Sequence, residues 1–215
     1  MSERCAEFVL AGHGIEKNFT FGKSVFGVAN VELHNGELLG ITGENGAGKS
    51  TLVRILCGVL SPSKGSVSLT VNSESIDREY FHRYIGLVSP YLNLYEEFTA
   101  WDHLSLTAKL RGIEFEEDFC AQSLEQFSLY NRRHDSIRTY SSGMKQRLKY
   151  VLAIQHKPPI LILDEPSANI DAVGIAAVLR LIEHQTTLGG GVIIATNEER
   201  ESSLCKRVIS LKKSW

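Results

Sequence analysis

Apolar and polar positions change their period along this chain. Between residues 6 and 42 the apolar residues come in short runs, F-V-L-A, F-G-V-A-N-V-E-L and E-L-L-G-I-T, with Asn35-Gly36 separating the last two. Short runs broken by turn residues predict strands, and N-G between two of them predicts a tight hairpin. The opening is therefore expected to be a small antiparallel layer. A helical pattern follows from about Lys49 to Cys57, stopped by Gly58 and Pro62, and strand-like pieces lie at 65–71 and 85–88. Thr99 and Asp102 have capping-box spacing ahead of a helix to about Arg111, and 116–130 has the spacing of a second amphipathic helix. Beyond it, helices at about 142–156 and 171–188 alternate with strands I-L-I-L-D at 160–164 and G-V-I-I-A-T at 191–196. A short helix and a last strand, R-V-I-S-L, complete the pattern. Strands that are apolar throughout, set between helices, predict a parallel sheet covered on both faces. The helical stretch 99–130 interrupts that alternation and is expected to form a lobe of its own.

A chain of 215 residues suffices for one sizeable domain, or one domain with a small satellite. The net charge of −2 gives no basic field, which argues against nucleic acid as a partner. Cys5, Cys57, Cys120 and Cys205 are scattered, without zinc-ligand or C-x-x-C spacing, and are expected to be free thiols in a reducing cytosol. The N-terminus lacks the pattern of a secretory signal. No stretch approaches the ~18 apolar residues of a spanning helix. The protein is thus expected not to enter a membrane by itself, although it could dock on a protein that does.

Candidate chemistry begins at G-E-N-G-A-G-K-S, residues 43–50, which follows a strand pattern and opens a helix. That is the setting of a phosphate-binding loop. Gly43, Gly46 and Gly48 let the backbone curl, so that N–H groups of Glu44, Asn45, Ala47, Lys49, Ser50 and Thr51 can face phosphate oxygens at a helix N-terminus. Lys49 is placed to reach the β- and γ-phosphates of ATP, and the Ser50 hydroxyl to bind Mg2+. Downstream, I-L-I-L-D-E ends an apolar strand in two acids, Asp164 and Glu165. Paired carboxylates at the end of a buried strand are costly without a task. Asp164 suits the Mg2+ shell through water and Glu165 the polarising of an attacking water. Read alone, the same residues also fit a strand followed by a capped helix with solvated acids.

The order phosphate loop, Y-S-S-G-M-K-Q-R at 140–147, then L-I-L-D-E-P-S-A-N-I-D at 161–171 resembles the ATP-binding subunit of ABC transporters, from about Phe21 to Leu211. The resemblance implies an α/β P-loop NTPase fold with a parallel-sheet core, an N-terminal antiparallel β layer and a helical lobe. It implies a single ABC ATPase domain over 1–215, with a helical subdomain at about 99–145. It implies an ATPase, with ATP and Mg2+ as cofactors and Lys49 and Glu165 as catalytic residues. It implies two subunits paired head to tail, as homodimer or heterodimer, so that Ser141, Ser142, Gly143 and Met144 cover the ATP in the partner's phosphate loop. Such a pair works for an integral-membrane transporter subunit on the cytoplasmic face, as a peripheral protein. Phe21 matches the aromatic that stacks on adenine, and equally suits a core position in a β layer. Asp171 matches an aspartate that communicates across the dimer, and Ala168 replaces a usual serine. The region of Tyr91, Leu94, Tyr95 and Phe98 fits a groove for a partner's helix, or plain core packing.

Three departures from the family pattern matter. The signature carries Tyr140, Ser142 and Met144 where Leu, Gly and Gln are common. Pro90 stands where a glutamine normally binds Mg2+ and the attacking water, and proline offers no side-chain ligand. Its only polar neighbour, Ser89, is short. Asn197 stands where a histidine usually holds the γ-phosphate, and asparagine cannot carry a proton as histidine does. Two outcomes are open: slow hydrolysis supported by Glu165, or a clamp that closes on ATP and barely turns over. A DNA-repair ATPase would carry a long coiled-coil insertion, a two-cassette translation factor a second set of motifs, and a small-molecule kinase no signature turn. The compact length also resembles the haem exporter ATPase of cytochrome c maturation and other small exporter ATPases. The transported substance leaves no trace in these motifs.

Overall fold

The structure is a computed structural model that describes residues 5–20 and 23–213. The chain begins with β1 (Phe8–Glu16), β2 (Asn18–Thr20), β3 (Lys23–Ser24), β4 (Ala29–His34) and β5 (Leu38–Thr42), then α1 (Lys49–Leu56), β6 (Lys64–Val71), β7 (Glu74–Ile76) and β8 (Ile85–Val88). There follow α2 (Ala100–Arg111), α3 (Glu117–Gln126), α4 (Ser142–Ile154), β9 (Ile160–Asp164), α5 (Ala172–Thr187), β10 (Gly191–Thr196), α6 (Glu199–Ser202) and β11 (Arg207–Ser210). Strands β4-β1-β6-β7 form an antiparallel sheet and β11-β5-β10-β9-β8 a parallel one.

Alternation along the central strands divides the core. Ile160, Ile162, Ile193 and Ala195 face one side, where they join Leu39, Ile41, α1 and the antiparallel sheet. Leu161, Leu163, Val192 and Ile194 face the other, where they join α4 and α5. Period-two packing on both faces requires apolar residues at every position, which is why these strands read as continuous apolar runs. Leu104 of α2 and Cys120 and Leu124 of α3 belong to that same second cluster. The helical stretch that was expected to stand apart therefore shares its core with the sheet.

Two local expectations are corrected. Asn35-Gly36 does turn the chain, with Gly36 at φ +69°, but it joins no hairpin, because β4 and β5 lie in different sheets. β4 pairs with β1 and is buried on alternate residues, whereas β5 pairs with β10 and β11 and is wholly buried in its middle. Asn35 instead accepts from the Phe8 N–H at 2.8 Å and donates to the carbonyls of Ala6 and Gly189. The helix expected over 116–130 stops at Gln126, and Ser128 takes φ +56°. Phe127 and Leu129 are fully buried, so the apolar pattern runs on after the helix has ended. At Thr99 the expected capping box is present, with the Asp102 N–H donating to the Thr99 hydroxyl oxygen at 3.0 Å.

His156, just past α4, has its pKa pushed down from 6.5 to about 4, first by burial and then by the Arg111 charge. A depressed histidine pKa means that the unfolded chain binds more protons as the pH falls. Its stabilising contribution is full above the ordinary histidine pKa and is lost as the pH falls from 6.5 towards about 4. Denaturant midpoints measured across that window should decline with acid, and His156→Gln should flatten the decline. An unchanged slope in the variant would contradict this origin.

Candidate functional site

The phosphate loop connects β5 to α1 and is shaped by what its glycines must avoid. Gly48 sits at φ +93°, and a Cβ there would lie 2.6 Å from the Phe26 ring. Gly43 sits at φ +155°, and a Cβ there would lie 2.8 Å from the Leu211 carbonyl oxygen. No other residue fits these turns without moving the fold. Lys49 is only 5% exposed, and its ammonium donates to the carbonyls of Gly43 at 2.8 Å and Glu44 at 3.3 Å. The side chain thus spans the loop that it follows.

β9 delivers Asp164 to the same place. The Ser50 hydroxyl donates to Asp164 Oδ1 at 3.2 Å, and the Ser89 hydroxyl to Oδ2 at 3.3 Å. Asp164 is 1% exposed, and burial raises its pKa. The two serine hydroxyls and Lys49 pull the pKa down, while the Glu165 charge pushes it up. A buried carboxylate held by donors on both oxygens is poised to accept a cation. Hard oxygen donors from Ser50 and Asp164 suit Mg2+, so the residues present fit that ion. From the end of β10, Asn197 Nδ2 donates to Asn45 Oδ1 at 3.1 Å, which ties a departing position to the phosphate loop. Thr51 lies in the first turn of α1. Phe21 lies outside the described residues.

The signature turn is elsewhere. Ser141 caps α4 by accepting from the Met144 N–H at 3.2 Å, while Ser141 and Ser142 remain exposed and Met144 packs against the second core cluster. A Cβ at Gly143 would lie 3.3 Å from the Asn169 carbonyl oxygen. Asp171 caps α5 by accepting from the Gly174 N–H at 2.9 Å and lies 3.9 Å from Arg147 of α4. Residues 141–144 and 169–171 therefore form one surface. Residues 43–51, 89, 164 and 197 form another. Among the described residues, the side-chain hydrogen bonds and ion pairs of 139–147 to other segments run to the 96, 127, 132, 136 and 171 positions and not to the phosphate loop.

Ser89 has a short side chain, yet its hydroxyl reaches Asp164. Its position at the carboxyl end of a parallel strand, where ligand sites gather, was the available signal. Lys149 carried no motif. Its ammonium donates to the carbonyls of Ser89 and Pro90, both at 3.3 Å, and burial lowers its pKa. Pro90 follows Ser89 in the chain, and its carbonyl is bonded to Lys149.

Residues 26–168 match the family model described as ABC transporter. The uncharacterized ABC transporter ATP-binding protein YdbJ of Bacillus subtilis (strain 168) is 32% identical over 210 residues, covering 97% of this chain and 68% of that protein. The linearmycin resistance ATP-binding protein LnrL of the same organism is 32% identical over 205 residues, covering 93% and 65%. A solved structure of the ATP-binding subunit of an ABC transporter superposes with a TM-score of 0.82 at 27% identity, over 94% of this chain and 85% of that one. These relatives lend no specific support to the haem exporter subtype. Among the described residues no helix is long and apolar enough to cross a membrane. The chain belongs to the ABC transporter family, as an ATP-binding subunit with the ATPase activity that powers transport.

Proposed function

We propose that this subunit drives an exporter by closing head to tail on ATP with a second subunit and reopening after hydrolysis. The observation that carries this reading is the Ser50–Asp164 hydrogen bond, which joins the phosphate loop to the acidic strand end. Ser50 and Asp164 would hold Mg2+, which supplies charge neutralisation at the phosphates when bound. Lys49, freed from its own loop carbonyls, would turn to the β- and γ-phosphates. Glu165 would accept the proton of the attacking water. Ser141, Ser142, Gly143 and Met144 would close over the partner's γ-phosphate with the N-terminus of α4, and Asp171 would flank that contact. Two separate surfaces on one chain suit this division, since each ATP then lies between one chain's loop and the other's turn.

Tyr91 and Tyr95 are 63% and 62% exposed, and Tyr95 lies 5.7 Å from both Phe98 and His103, ring to ring. This aromatic edge would dock a helix of the integral-membrane partner on its cytoplasmic side. The linearmycin resistance relative supports outward transport. The second reading, a clamp with very slow turnover, is favoured by one observation: Pro90 brings no side-chain ligand to the position next to Ser89.

Glu165 adds a backbone argument. It holds φ +51°, a left-handed conformation that costs a non-glycine residue about 1–2 kcal/mol. Its N–H donates to the Ala195 carbonyl at 2.8 Å, and the next carbonyl, of Pro166, accepts from the buried Tyr150 hydroxyl at 2.7 Å. Strain maintained by its surroundings at a candidate catalytic residue is consistent with a role that outweighs its cost.

Two outcomes are expected. Phosphate release from Mg-ATP should be measurable for the wild type and lost in Glu165→Gln, which should elute as an ATP-dependent dimer in size exclusion. ATP-driven dimerisation without hydrolysis in either protein would select the clamp instead, and absence of both would contradict the proposed cycle. Glu165→Gly should abolish turnover yet be more stable to denaturant unfolding by about 0.5–1 kcal/mol, once the flexibility of glycine is deducted. A destabilised Glu165→Gly would show that the left-handed turn stores no strain.

A further inference from the structure

We propose that Ser89 is a direct oxygen ligand for the divalent cation, forming with Ser50 and Asp164 a three-residue cation site. The inference rests on the proposed ATP and Mg2+ reading and deepens it by assigning a role to a residue outside the family motifs.

The geometry is that of a matched pair. Ser50 and Ser89 approach the two different oxygens of the same buried carboxylate, at 3.2 and 3.3 Å. Each hydroxyl spends its single hydrogen on Asp164, which leaves oxygen lone pairs as its remaining capacity. Ser89 has one lone pair engaged by the Tyr91 N–H at 3.4 Å, and one free. Ser89 is 5% exposed, so that lone pair is not generally open to bulk water. A buried hydroxyl already oriented by its own donor bond is preorganised, and two hydroxyl oxygens together with the carboxylate they flank are a hard-oxygen donor set for Mg2+ or Mn2+.

The backbone around Ser89 is held from a second direction. Lys149 projects from α4 and grips the carbonyls of Ser89 and Pro90, both at 3.3 Å. Main-chain position is fixed by this ammonium and side-chain aim by Asp164, so the hydroxyl has little freedom to turn away. Pro90 offers nothing in its place. Ser89 is the side chain on this turn that the structure joins to Asp164.

The test is cation binding rather than turnover. In a Glu165→Gln background, Mn2+ affinity for the ATP complex is read by electron paramagnetic resonance, and ATP affinity is measured with and without metal. Ser89→Ala should weaken Mn2+ binding about tenfold while ATP binding without metal stays at the parent value. Ser89→Cys, close to serine in size, should shift preference from Mn2+ towards thiophilic Cd2+ relative to the parent, which retains Cys57 as an internal control. That shift is the signature of direct ligation, which a hydroxyl that merely braces Asp164 would not produce. Unchanged Mn2+ affinity in Ser89→Ala, or no gain for Cd2+ in Ser89→Cys, overturns the assignment while leaving the ATPase reading intact. Loss of metal-free ATP binding in both variants would make Ser89 a structural prop and also overturn it. A parent that binds no ATP, or gains nothing from Mn2+, would sink the underlying reading as well.

Discussion

The hydrogen bond from the Ser50 hydroxyl to Asp164 joins residues 114 positions apart, and the site exists only if it can form. Asp164 ends a strand whose other residues are apolar and buried. A carboxylate there would be untenable without donors, because desolvation disfavours its charge. Ser50 reaches it only if the phosphate loop turns sharply at Gly43 and Gly48 and lets α1 start beneath β9. The parallel pairing of β10 with both β5 and β9 sets those two strand ends level with each other, one on either side of β10. The curl of the loop, the register of the sheet and the charge state of one acid are thus a single constraint.

The second face of the sheet carries a different dependence. α4 begins at the exposed Ser141–Ser142 turn and sends Lys149 to the turn after β8. That turn holds Ser89 against Asp164 and leads directly into the exposed tyrosines. One helix therefore starts at the signature turn and reaches the segment between the acidic site and the aromatic edge. In the proposed cycle, a shift of α4 on dimer closure would be felt at Asp164 and at the docking edge through this lysine.

Much of this was legible in the sequence because it rests on local chemistry. The glycine spacing of 43–48, the apolar run ending in Asp164 and the Thr99 capping box each encode their structure within a few residues. Strand ends such as Ile85–Val88 and Gly191–Thr196 were readable because turn residues bound fully apolar stretches. What was not legible depends on pairing across the chain. Asn35-Gly36 has hairpin chemistry, but β4 pairs with β1 and β5 with β10 and β11, so the two strands belong to separate sheets. Ser89 is an unremarkable serine until the fold sets it 3.3 Å from Asp164. Lys149 gives no sign of its tether in a helix of ordinary pattern. The Asn197–Asn45 bond likewise depends on β10 lying beside β5.

The claim at the centre of this account is that each ATP is shared between one chain's phosphate loop and the other's signature turn. Subunit complementation tests it most directly. Lys49→Ala spoils the loop and leaves the turn, and Gly143→Asp puts a negative charge into the turn and leaves the loop. Each variant alone should fail to hydrolyse ATP. A mixture should regain turnover, because the mixed pair contains one intact loop facing one intact turn. A mixture as inactive as its components, with mixed dimers shown to form, would contradict the shared site.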